Sequence, residues 1–156
     1  MKSKEMLQRY ASRCPMTQLP DRYRVTAANP DPPLIHFAIP VHIFDLYKYA
    51  DKHGLIDYYP NFPRVPSPVS AIVATDHLSQ VVQYELEFGW PFEPTAECGI
   101  ILSLYDNFTI QEKMLIDEDQ EDVVQMVREE LGLDKSVRPK WYFDADDSGY
   151  SEDEAD

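Results

Sequence analysis

Apolar and polar positions alternate along some stretches of this chain and recur at helical spacing along others. Residues 82–88 read apolar–polar without a break, the period-two signature of a half-buried strand. The apolar runs at 34–39 and 99–105 predict more fully buried strands, and 70–74 is a further short strand candidate. Pro40 fits the first turn of a helix that continues to Lys52 and stops at Gly54. On that helix Ile43, Tyr47 and Ala50 share a face, with Phe44 and Leu46 alongside. The strongest helical pattern is 118–131, with Asp117 and Gln120 as a capping box, Gly132 as its stop, and Val123, Val124, Val127 and Leu131 as its buried face.

Between these elements the pattern is less decided. Phe108, Ile110, Met114 and Ile116 carry an alternation past a turn at Asp106 and Asn107, whereas Glu112 breaks it and leaves a helix over 109–116 open. Residues 138–143 fit an edge strand. Ten of the thirteen prolines lie from Pro15 to Pro68, which argues against central strands at 30–33 and 60–68 and makes 60–68 a connector anchored by Tyr58, Tyr59 and Phe62. The fold class that follows is α+β: a small antiparallel sheet with two or three helices packed on one face, in a single domain with an acidic C-terminal tail.

Charge divides the same chain differently. Its 156 residues carry 28 acids and 14 bases, net −14, but residues 1–24 are net +4 and residues 76–134 hold fifteen acids against two bases. Residues 135–143 are net +3 and residues 144–156 carry seven acids and no base. Three regions result: a basic N-terminal arm or helix over 1–24, the α+β domain over 25–143, and an acidic disordered tail over 144–156. Such a balance disfavours nucleic acid and anionic membrane as ligands and favours a basic protein partner. No stretch approaches the roughly 18 apolar residues of a membrane helix, the N-terminus has no apolar run of signal-peptide length, and two cysteines make no disulfide framework. The expectation is a soluble, intracellular protein, cytoplasmic or nuclear.

Catalytic motifs are missing: there is no G-x-S-x-G, P-loop, G-x-G-x-x-G or H-E-x-x-H, and the five glycines are too dispersed to cradle a phosphate. His36, His42, His53 and His77 follow no zinc spacing. Residue types for a thiolate site exist in Cys98, His77 and Asp76, in which Asp76 would orient an imidazole beside the cysteine. Cys14 before Pro15 matches a dipeptide of haem-responsive segments and equally fits a surface cysteine, so no cofactor is expected. From Asp144 the tail repeats the start of an EF-hand loop, with Asp144, Asp146, Ser148 and Glu152 at oxygen-ligand positions and Gly149 at the turn. Ala155 stands where the bidentate glutamate belongs, which leaves weak cation attraction at most. Ser151, followed by three acids, fits an acidophilic kinase.

Trp141, Tyr142 and Phe143 are consecutive, and neighbours on a strand point to opposite faces, so at least one is expected to be exposed or covered by a loop or partner and to serve as an interaction anchor. The stretch Pro139-Lys140-Trp141-Tyr142-Phe143-Asp144 resembles the ends of small uncharacterised proteins of mushroom-forming fungi. The resemblance covers that short end and implies no function. The residues therefore point to a non-catalytic protein-binding module. A small hydrolase-like enzyme built on His77, Cys98 and Asp76 is the alternative, and a cation-responsive tail a third.

Overall fold

The computed structural model describes residues 15–91 and 99–145. Strand β1 (Ile35–Val41) continues into helix α1 (Ile43–Lys52). A two-stranded hairpin, β2 (Tyr58–Tyr59) and β3 (Phe62–Pro66), leads to helix α2 (Val69–Val82) and strand β4 (Glu87–Gly89). Strand β5 (Ile100–Asp106), a single helical turn α3 (Ile110–Lys113), helix α4 (Asp117–Leu131) and strand β6 (Lys140–Phe143) follow. The main sheet has the order β4-β5-β1-β6 with antiparallel neighbours, and α1, α2 and α4 pack against one another on one side of it. The protein is an α+β domain, as the sequence pattern requires.

Alternation along the strands builds this core. Ile35, Phe37, Ile39 and Val41 face the helices, joined by Ile100, Leu102, Trp141 and Phe143. A bulge in the β1–β5 pairing sets Phe37 opposite Tyr105 and Ala38 opposite Ser103, so that Leu104 is the extra residue and both Leu104 and Tyr105 enter the core. The Leu104 carbonyl is taken up by the Tyr84 hydroxyl at 2.8 Å.

Pro40 lies in β1 and not in the first turn of α1 as expected. Pairing with β6 ends at Ala38 and Lys140, so the missing Pro40 N–H forfeits no ladder bond there. Helix α1 is capped instead by His42, whose N–H donates to the Asp45 carboxylate at 3.1 Å. Helix α4 is preceded by Ile116, and its three first-turn acids favour the positive end of the helix dipole; Gln120 accepts a hydrogen bond from the Tyr105 hydroxyl at 3.0 Å.

The second face of the sheet is also enclosed. Chain running on from β4 meets chain running on from β6: Pro91 bridges Asp144, and the Ala145 N–H donates to the Trp90 carbonyl at 3.0 Å. The sheet is thus drawn round on itself, and Ala38, Ile101 and Tyr142 form a small inner core. This is the covered alternative of the expectation for 141–143, and it corrects the reading of an exposed interaction anchor. The three side chains do alternate between faces, yet Trp141, Tyr142 and Phe143 are 4%, 3% and 0% exposed because both faces are covered. They are core residues and offer a partner no anchor.

The ends of the domain also lie further out than 25–143. Met16 exchanges two backbone hydrogen bonds with Trp141, and Leu19 and Tyr23 are buried in the core. Residues 15–24 therefore belong to the folded body, as do Asp144 and Ala145. Cys14, Cys98, Asp146, Ser148, Gly149, Ser151 and Glu152 lie outside the described residues.

Candidate functional site

Three arrangements place reactive side chains together. The first is a buried chain of hydrogen bonds on the inner face of the sheet: His36 Nδ1 lies 3.0 Å from Ser103 Oγ, and His36 Nε2 lies 2.8 Å from Asp144 Oδ2. Ser103 Oγ also donates to the Tyr105 carbonyl at 3.3 Å. The residue types are those of a hydrolase triad, but His36 and Ser103 are buried, and the hydroxyl proton is directed to a main-chain oxygen. A nucleophile must be reachable by substrate. This chain instead pins the end of β6 to β1, and it commits Asp144, the first position of the EF-hand-like run, to a histidine.

The second arrangement holds His77. Its Nδ1 lies 2.6 Å from the Tyr49 hydroxyl across the α1–α2 contact, and the His53 ring lies tilted against both, at centroid distances of 4.4 Å to Tyr49 and 4.8 Å to His77. Burial, then the nearby Glu130 carboxylate, pushes the Tyr49 phenol up. Asp76, the neighbouring residue on α2, is exposed and faces a groove elsewhere. The expected orienting pair of Asp76 and His77 is not brought together, since adjacent helix positions point about 100° apart. Among the described residues no group of three histidine, cysteine or carboxylate side chains is placed to hold a metal ion.

The third arrangement is a groove of about 610 Å3 between α2 and the stretch 85–88. Ile72, Asp76 and Gln80 rise from α2 on one wall; Glu85, Glu87 and Phe88 form the other. Helical spacing aligns the first three residues, and the turn after Gln83 carries the chain back along the helix to supply the rest. Three carboxylates line this groove and no base does.

The α2 wall is unusual. The sequence Val69–Val82 contains a single carboxylate and no lysine or arginine, and over its first turns it is apolar on its exposed side as well as on its buried one. Ala71, Ala74 and Leu78 are buried, whereas Val69, Ile72 and Val73 are 54%, 48% and 37% exposed. A helix apolar all round is ordinarily covered all round.

Sequence reasoning named Asp76 but assigned it to an imidazole, and took Glu85 and Glu87 as the polar half of a long strand. The usable signal was 70–74: an apolar run too rich for one buried helix face. No helix among the described residues is long and apolar enough to cross a membrane. Against protein-family models, curated proteins and solved structures the chain has no match, so its chemistry is read from this groove.

Proposed function

We propose that the protein is a non-catalytic binding module that takes up a basic segment of a partner protein in the groove between α2 and residues 85–88. The observation that carries the reading is a concave surface with Asp76, Glu85 and Glu87 on its walls, no compensating cation, and apolar Ile72 and Phe88 beside them. Cationic side chains gain from such a rim, and the apolar walls raise the gain by lowering the local dielectric. The strongly acidic body and tail add long-range attraction for the same partner. A cytoplasmic or nuclear setting goes with this reading.

A flexible Lys/Ser peptide, titrated into the isotope-labelled protein and followed by backbone NMR, tests it. Amide shifts should concentrate at Asp76, Gln80 and 85–88 and fade as salt shortens the Debye length from ~10 Å at 0.1 M to ~3 Å at 1 M. Replacing Asp76, Glu85 and Glu87 together by their amides should remove the shifts. Shifts spread evenly over the acidic surface, unaffected by that variant, would dismiss the groove.

A further inference from the structure

We infer that the occupant of this groove is an amphipathic helix with a basic flank, laid along the exposed face of α2. The inference rests on the binding reading above and specifies its partner. Val69, Ile72, Val73, Asp76 and Gln80 follow one another at the spacing of a single helix face, and all five are exposed. The first three are aliphatic; the last two, with Glu85 and Glu87 across the groove, are acidic or amide. One stripe therefore offers an apolar half and an acidic half along about 16 Å, or three helical turns.

The alternative backbone mode, a strand added to the edge of β4, has little to bind. Outward-pointing ladder positions alternate along a strand. At Leu86 the N–H is taken by Ser79 Oγ at 3.0 Å, and the same hydroxyl lies 3.4 Å from the Leu86 carbonyl. At Trp90 the carbonyl is taken by the Ala145 N–H. Between them only Phe88 has its position open, and one position does not template a strand. Recognition must come from side chains, and a helix presents them at the spacing that α2 itself displays. Leu or Ile at i, i+3 and i+4 would cover Val69, Ile72 and Val73, while Lys or Arg further along would reach Asp76, Glu85 and Glu87. Charge also argues against a second copy of this chain, because the face would bring like carboxylates together between two molecules of net −14.

The test uses the full chain and three synthetic fourteen-residue probes: an amphipathic Leu/Lys helix, a scrambled peptide of the same composition without a helical face, and a Leu/Glu version of the amphipathic helix. The first should bind about tenfold or more tighter than the scramble, and the Leu/Glu helix should not bind. Val69→Ser and Val73→Ser combined, at exposed positions outside the groove lining and without change of charge, should weaken the Leu/Lys helix about tenfold and leave the Lys/Ser peptide unchanged. Equal affinity for helix and scramble would overturn the helical occupant while leaving basic recognition standing. No response to any basic probe would remove both. Light scattering on the free protein should give a monomer; a dimer abolished by Ile72→Asp would replace the basic partner with a second copy.

Discussion

The Asn107 carboxamide accepts a hydrogen bond from the Ile35 N–H at 3.0 Å and donates to the carbonyls of Tyr23 and Pro33, each at 2.8 Å. One buried side chain thereby binds three main-chain groups from two segments, one at Tyr23 and the other at 33–35. Asn107→Ala removes a hydrogen-bond partner from each of them, and urea unfolding should show a loss of about 2–4 kcal/mol. Asn107→Asp should cost at least as much, since it sets a carboxylate against two carbonyls. In the sequence Asn107 read as a hairpin turn residue, because nothing local distinguishes a turn asparagine from one whose partners are 70 or more positions away. Two tyrosines make a pH prediction at the same scale. Burial, then the charge of Glu85, pushes the Tyr84 phenol up to about 12, and burial, then Tyr84 and Asp117, does the same to Tyr105. An unfolded phenol titrates near 10, so the folded state holds these protons more tightly. Their stabilising contribution is complete below about pH 10 and is lost as pH rises toward about 12. Ultraviolet titration should show most tyrosines ionising first and these two only as the fold is lost; ionisation of all ten tyrosines near pH 10 with the fold intact would refute it.

Helices and strands were legible where period and length agreed. The apolar face of α4, Val123, Val124, Val127 and Leu131, is buried as read, and so is Leu86. Leu86→Ala and Val127→Ala should each cost ~1–4 kcal/mol through lost burial and the cavity left behind, measured as a shift in denaturation midpoint. Reading failed at α2, where 70–74 looked like a strand. A short apolar run fits either element, and here Ala71, Ala74 and Leu78 pack at helical spacing, with the Thr75 and Ser79 hydroxyls bonded back to the carbonyls of Ala71 and Thr75. That helix also consumed Val82, the start of the alternating run, which shortened the strand to β4. Between the two, Gln83 caps α2 in the left-handed region at φ 55°, where a side chain is strained and glycine is not. Gln83→Gly should therefore stabilise the protein by about 0.5–1 kcal/mol, and a lower melting temperature would show that the Gln83 side chain has a role of its own.

Across the whole molecule, charge was legible as a sum and not as a site. The groove collects Asp76 from a helix and Glu85 and Glu87 from a turn and a strand, and only the chain reversal after Gln83 brings them to face one another. The basic stretch 135–140 is likewise less available than its composition implied. Arg128 donates to the carbonyls of Lys135 and Val137 and pairs with Glu121 at 3.0 Å, and Arg138 donates to the Lys135 carbonyl. These cations fasten the segment between α4 and β6. A pair of truncations tests where the fold ends within the acidic end of the chain. Asp144 holds His36 at 2.8 Å, and Ala145 ties Trp90, so both belong to the closure of the sheet. Residues 146–156 hold six acids, no base and Tyr150 as their one aromatic. Ordering such a segment costs roughly 1–2 kcal/mol of backbone entropy per residue with little apolar surface to offset it. Truncation after Ala145 should thus leave the melting temperature nearly unchanged, while cutting the net charge to −8 and slowing association with a basic peptide at low salt. Truncation after Phe143 should lower stability by about 2–4 kcal/mol, because it leaves a buried imidazole and the Trp90 carbonyl without their partners. Restoring Asp144 and Ala145 alone should recover it. If instead both truncations unfold the protein equally, residues 146–156 carry a share of the fold that their composition denies them.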